Sequence, residues 1–206
     1  QKLLLNSRFT ELTTNRAFSQ VEIDATLADY SSVLARLGKT KFTIGILNEQ
    51  AYILAFFADR ASEAILILQD ALLIKSLTDI QRAQVKMQLA DIEVLKGDIW
   101  EASLLYMQID KDFKFEAIGD EAKYKNARIC YFDGEFDFAQ SQLNILKEST
   151  SKIIANDAMH LSVSITENFG LDSNYTAMTW FSSAELLIEQ HKYLEAFTLF
   201  DSIQLN

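Results

Sequence analysis

The sequence contains no proline and only six glycines in 206 residues. A fold of many short strands needs frequent tight turns, and these two residues form most of them. Helix-favouring residues such as alanine, leucine, glutamate and lysine dominate instead. Because 49% of the residues are hydrophobic, the chain can bury a sizeable core and is not expected to be disordered. The composition predicts an all-α protein.

Cysteine and long apolar runs are also scarce. The one cysteine, Cys130, has no partner for an internal disulfide, so the fold does not depend on an oxidising compartment. No run of 18 apolar residues is present, so no membrane span is expected. The sequence begins with Gln1 rather than Met, which suggests an excised or processed piece and leaves open whether a targeting segment preceded it. The compartment, cytoplasmic or periplasmic, is left open.

Basic residues are outnumbered, with 19 Lys and Arg against 29 Asp and Glu and a net charge of −10. An acidic surface repels phosphate groups, so nucleic acid and anionic membranes are disfavoured as partners. The expected partner is another protein or a peptide segment.

A pattern of helix, short turn and helix recurs along the chain. The turns are expected near Asp59, Gly97, Gly134 and His191. After each turn comes an alanine, and an aromatic residue or leucine follows four positions later. These pairs are Ala64 and Leu68 (the faintest copy), Ala102 and Tyr106, Ala139 and Leu143, and Ala196 and Phe200. The helix before the turn carries a small residue twelve positions before the alanine, at Ala90, Ala127 and Ala184; in the first copy this position is Tyr52. The small residues predict close contact between the two helices of each hairpin.

The repeated pattern resembles the tetratricopeptide repeat (TPR) family, whose motif runs W-x2-L-G-x2-Y, then A-x3-F, then P. The last copy matches it best, with Trp180, Ser183, Ala184, Leu187, Ala196 and Phe200. The closing proline is missing from every copy. The sequences of residues 97–106 and 151–162 are also similar to a group of long, uncharacterised bacterial TPR proteins. This similarity implies no known activity. The resemblance implies a right-handed α-solenoid of about ten helices.

We expect one solenoid domain over residues 1–206. Residues 1–42 are expected to form N-terminal helices that end a preceding repeat. Three repeats follow over 43–75, 79–113 and 119–149. An extra helix over 150–170 then precedes a last repeat over 174–204. The extra helix accounts for the longer step between the last two copies, and its Ile154, Leu161 and Ile165 are expected to be buried. It should interrupt the regular stacking before the last repeat.

No arrangement of residues predicts catalysis, a cofactor or a metal site. Cys130 could pair with His160 or His191, but Cys130 is expected to pack as a small hydrophobe and His191 to be a turn residue. Asp110, Asp112 and Glu116 lack the further ligands of a calcium loop. We therefore expect a non-enzymatic protein.

The predicted functional surface is the concave face that the first helix of each TPR contributes. The family geometry assigns to it Gln84, Met87, Asp91, Glu121, Tyr124, Arg128, Tyr131, Met178, Phe181 and Glu185. Tyrosine and arginine are enriched in binding hot spots, so Tyr124, Arg128 and Tyr131 are the best candidates for contact with an acidic partner segment. The alternative is that the two tyrosines pack against the neighbouring repeat.

Three hypotheses for the function follow. The favoured one is a scaffold that binds a partner segment in the concave groove. The second is a structural spacer that stacks on flanking repeats of a longer chain. The third is a helical accessory domain of a larger, possibly envelope-associated, enzyme such as a glycan-processing hydrolase.

Overall fold

The structure is a computed structural model that describes residues 2–14, 18–168 and 175–204. Within these residues all regular secondary structure is α-helical, and no strand occurs. The helices are α1 (Lys2–Thr14), α2 (Gln20–Leu37), α3 (Ile44–Phe56), α4 (Ala61–Leu72), α5 (Asp79–Lys96), α6 (Ile99–Asp112), α7 (Ala117–Phe132), α8 (Phe136–Leu146), α9 (Lys152–Asn168), α10 (Tyr175–Glu189) and α11 (Tyr193–Gln204). The all-α prediction is confirmed.

Two helices begin with capping boxes that can be read in the sequence. At the start of α2, the Glu22 amide donates to the Ser19 hydroxyl, and the Ser19 amide donates to the Glu22 carboxylate. Thr78 and Gln81 make the same reciprocal pair at the start of α5. Each box satisfies backbone amides that have no partner inside the helix, and so fixes where the helix starts.

The chain divides into two compact halves, Gln1–Lys96 and Gly97–Asn206. In the first half, α3 packs on α2, α4 and α5, and α1 packs on α2 and α3. The side-chain amides of Gln81 and Gln88 in α5 donate to the carbonyls of Lys41 and Asn48, at 2.9 and 2.5 Å. Both bonds span 40 residues, so α3 and α5 run in the same direction, as the first helices of successive repeats do.

Left-handed backbone marks every predicted hairpin turn. The turns were expected near Asp59, Gly97, Gly134 and His191, and these four residues have φ angles of 54°, 106°, 84° and 59°. An L side chain strains this conformation, which is why glycine occupies two of the four positions. The predicted turn positions are confirmed.

Two of the turns share one hydrogen-bond pattern, the Schellman motif. The amide after the left-handed residue donates to the carbonyl five positions earlier, from Glu135 to Cys130 (2.9 Å) and from Lys192 to Leu187 (2.8 Å). The motif satisfies carbonyls at the helix end and reverses the chain into the next helix.

Introducing glycine at one Schellman turn and removing it from the other should change the stability of the protein in opposite directions. We expect His191→Gly to raise the free energy of unfolding by about 0.5 kcal/mol, because glycine relieves the left-handed strain while the stack of His191 on Tyr193 is lost. Gly134→Ala should lower it by about 1–2 kcal/mol. Urea denaturation monitored by circular dichroism measures both. A loss of stability in both variants would contradict the explanation from backbone strain.

The alanines of the repeated pattern are buried. Each has an exposed fraction of 2% or less: Ala64, Ala90, Ala102, Ala127, Ala139, Ala184 and Ala196. The aromatic or leucine positions that follow, Leu68, Tyr106 and Leu143, are buried as well. Phe200, the corresponding position of the last copy, is half-buried. The alanines of the repeated pattern thus belong to the buried core, as their spacing predicts.

The first hairpin departs from this alignment by one residue. Its turn bond runs from the Arg60 amide to the Leu54 carbonyl, one residue longer than in the Schellman turns. In the Schellman turns, the buried alanine lies three residues before the residue whose carbonyl accepts the turn bond. In the first hairpin that place belongs to Ala51, which is fully buried and lies three residues before Leu54. The assignment of this position to Tyr52 is therefore wrong. Tyr52 is half-buried, and its ring lies 5.6 Å from that of Phe9 in α1.

In the second half, α7 packs on α6, α8, α9 and α10, while α8 packs on α9 and α10 on α11. Helix α9 is the predicted extra helix. Ile154 and Ile165 are buried as expected, but Leu161 is only half-buried, and Ala158 and Ser162 face the core instead. The predicted end of this segment and the predicted start of the last repeat at 174 lie outside the described residues.

Candidate protein-binding surfaces

Helix α7 carries the three residues that the sequence favours for partner contact. Tyr124, Arg128 and Tyr131 are four and three positions apart, so they lie along one face of the helix. Tyr131 is 1% exposed, whereas Tyr124 and Arg128 are half-buried. We call these three residues the α7 face.

Helix α10 of the same chain lies on the α7 face. The Arg128 guanidinium donates from Nη2 to Glu189 Oε1 at 2.7 Å, and the Tyr131 hydroxyl donates to Glu185 Oε2 at 2.5 Å. A methyl group built on Gly134 would lie 3.7 Å from Oγ1 of Thr179. As the residue numbers rise along α7, those of their partners in α10 fall. Helix α10 therefore crosses α7 in the opposite chain direction, unlike α3 and α5.

Burial and the two carboxylates govern the electrostatics of the α7 face. Burial raises the pKa of the Tyr131 hydroxyl, and the hydrogen bond to Glu185 raises it further. Burial would lower the pKa of Arg128, but the charge and hydrogen bond of Glu189 outweigh it, so the pKa is raised. Burial also raises the pKa of Tyr124. At neutral pH the face is therefore a fixed cation flanked by two neutral hydroxyls.

The other residues assigned to the concave face differ in exposure. Gln84 and Glu121 are exposed, Asp91 and Glu185 are half-buried, and Met87 and Met178 are buried at 7% and 3%. Phe181 is 37% exposed, and its ring lies 5.7 Å from that of Phe200 in α11. For Met87, Met178 and Tyr131 the structure shows packing inside the chain. For the remaining residues, contact with a partner stays a prediction.

Helix α6 presents a second surface, which the sequence reading missed. Trp100, Leu104 and Met107 are 62%, 50% and 46% exposed, and their spacing of four and three places them on one face. We call them the α6 stripe. The opposite face carries the buried Ala102 and Tyr106. The sequence indicates it through apolar residues on both faces of α6, because burial in the core explains only one of these faces.

A pocket of about 220 Å³ lies at the start of α7, between Lys114, Lys123 and Thr150. Three of its polar side chains are paired: Lys123 Nζ lies 3.3 Å from Asp110 Oδ1, and the Ser149 hydroxyl donates to the Asp120 carboxylate. Asp110, one residue of the incomplete calcium-loop pattern, is thus paired with Lys123. Across the residues that the structure describes, no group of three His, Cys, Asp or Glu side chains could hold a metal ion.

Cys130 is half-buried near the end of α7. Burial raises the pKa of its thiol to about 11 from an ordinary value of 9.0, with a further contribution from Asp133. Because the thiolate is the reactive form, its fraction at pH 8 should be about a hundredfold smaller than for an unperturbed thiol.

We therefore expect alkylation of Cys130 by iodoacetamide at pH 8 to be about a hundredfold slower in the native protein than after unfolding in urea. The rate should keep rising as the pH approaches 11. Mass spectrometry of the alkylated chain measures it. Equal rates in the native and unfolded protein would show that the thiol is neither buried nor perturbed.

None of the helices described is long and apolar enough to cross a lipid bilayer. Comparison of the chain with protein-family models, with curated proteins and with solved structures finds no match in any of the three. The resemblance to TPR proteins therefore rests on the repeated residues of this sequence.

Proposed function

We propose that the chain is a non-enzymatic scaffold, a right-handed TPR-like solenoid that binds a segment of another protein. The repeated hairpins with buried alanines and the parallel α3 and α5 support the architecture. In the first half, Gln84 of α5 remains exposed on a first helix and is available to contact a partner segment.

The α6 stripe is the main support for a protein-binding role. Trp100 is 62% exposed, and with Leu104 and Met107 it forms a continuous apolar line on a helix whose other face already packs in the core. Tryptophan and methionine are enriched at the centres of protein interfaces. Exposure of large apolar side chains in a row marks an interaction site on a soluble surface.

Charges beside the stripe indicate the kind of segment that fits it. Helical spacing places the exposed Glu101 and Asp112 along one side of the stripe, and Lys111 at its end. The chain as a whole carries a net charge of −10. An amphipathic helix with an apolar face and basic flanks matches both the apolar line and the carboxylates.

Replacing the stripe tests the proposal. We expect Trp100→Ser/Leu104→Ser to abolish capture of a partner that wild type enriches from a lysate of the source cell, measured by quantitative mass spectrometry. The matched control is Leu66→Ser/Leu73→Ser, which removes two apolar side chains that are at least as exposed, one in α4 and one directly after it. Capture of the same proteins in equal amounts by all three chains would show that the stripe is not the binding surface.

A structural spacer, or an accessory domain of a larger enzyme, is the second candidate, favoured by the face of α11. Leu194 and Phe197 are 85% and 65% exposed, three residues apart. In a stacked array a neighbouring repeat would cover them. If the spacer role is correct, Leu194→Ser/Phe197→Ser should leave partner capture unchanged and disturb only the assembly of the longer chain.

A further inference from the structure

We propose that the α7 face is a docking surface for an acidic helix and that α10 is its resident occupant. A partner helix with two carboxylates one turn apart would exchange with α10 on this face. The inference rests on the proposed scaffold function and adds the chemistry of a partner and a means of regulation.

The geometry of α10 defines what the face accepts. Glu185 and Glu189 are four residues apart, so both carboxylates leave the same side of α10. One accepts a hydrogen bond from the Tyr131 hydroxyl and the other from the Arg128 guanidinium. A helix that crosses α7 in the opposite chain direction and carries Glu-x-x-x-Glu reproduces both bonds.

Water and salt can reach one of the two bonds that hold α10 on the α7 face. The Arg128 and Glu189 side chains are 32% and 45% exposed. An ion pair of this exposure contributes little to stability and is weakened by salt. A competing helix that makes the same two bonds therefore displaces one contact that solvent already weakens, together with the buried bond from Tyr131 to Glu185.

The hairpin of α10 and α11 also keeps much of its own apolar surface uncovered. Ile188, Leu194 and Phe197 are 42%, 85% and 65% exposed. The hairpin packs internally, α10 against α11, and meets α7 through α10. Since its two helices pack on each other, the hairpin would keep its internal contacts when α10 exchanges with a partner helix.

The probe is a fluorescent peptide with the sequence of residues 175–189, titrated into the full chain and followed by anisotropy. Wild type should bind it weakly, because the resident helix competes for the site. The Glu185→Gln/Glu189→Gln chain, whose own helix is a poorer occupant, should bind it about tenfold more tightly. A peptide with the same two substitutions should bind neither chain.

Arg128→Ala in the Glu185→Gln/Glu189→Gln chain should remove the gain, with the fold checked by circular dichroism. If that chain is not folded, Arg128→Lys, which keeps the charge without the forked geometry, should reduce the gain. The control is Glu167→Gln, an exposed carboxylate on α9 that should leave binding as weak as in wild type.

Equal peptide affinity for wild type and the Glu185→Gln/Glu189→Gln chain would overturn the inference. A gain in affinity that persists with Arg128→Ala and with Arg128→Lys would overturn it as well. Capture through the α6 stripe uses other residues. Loss of the peptide effect with capture retained would therefore overturn the inference alone. Loss of stripe-dependent capture with the peptide effect retained would overturn only the proposed scaffold surface.

Discussion

Gly119→Ala is expected to lower the free energy of unfolding by about 1–3 kcal/mol. Gly119 lies in the first turn of α7, where the chain arriving from α6 passes close by. A methyl group at this position would lie 2.8 Å from the carbonyl carbon of Phe113 and still closer to its oxygen. Because the obstacle is backbone rather than a flexible side chain, the turn between α6 and α7 must shift to admit the methyl group.

Gly45→Ala is the matched control. Gly45 lies in the first turn of α3, is exposed, and has no atom within 4 Å of the position a methyl group would take. Alanine should raise stability there by about 0.4–1 kcal/mol, because it restricts the unfolded chain. Urea denaturation of both variants tests the pair. A Gly119→Ala protein as stable as wild type would mean that α6 and α7 do not approach each other this closely.

The second large effect is expected at the buried alanines. Ala102→Leu and Ala139→Leu should each destabilise the protein by about 1–3 kcal/mol, because both alanines are fully buried and leucine would overpack the contact between helices. The drop in melting temperature measures the effect.

Ala28→Leu provides the comparison, since Ala28 lies on the exposed side of α2 and leucine is nearly as good a helix former. Its melting temperature should stay close to that of wild type. Unchanged melting temperatures for Ala102→Leu and Ala139→Leu would show that these alanines do not lie at helix contacts.

Local signals in the sequence were enough to predict much of the fold. Gly134 adopts left-handed backbone and Ala139 is fully buried, and both constraints restrict the residue type. Because such positions recur at a fixed spacing, the sequence shows where the turns and the buried alanines lie. The error at Tyr52 arose because one extra residue in the first turn shifts the spacing without changing the packing.

The arrangement around the α7 face could not be predicted in the same way. The bonds from Arg128 to Glu189 and from Tyr131 to Glu185 join residues 61 and 54 positions apart, and no local pattern sets which residues of α10 meet α7. Repeat geometry assumes that successive first helices run the same way. The sequence identified Arg128 and Tyr131 as partners for an acidic segment, but not α10 as the segment that meets them.

The reversed crossing of α10 over α7 is the central claim, and spin-label distances test it most directly. In a Cys130→Ser background, labels are placed at the exposed Glu121 with Ile188, and at Glu121 with the exposed Tyr175. Because Arg128 meets Glu189 while Gly134 lies near Thr179, the distance from 121 to 188 should be clearly the shorter. A shorter distance from 121 to 175 would mean that α10 continues the repeat in parallel, and would contradict the account.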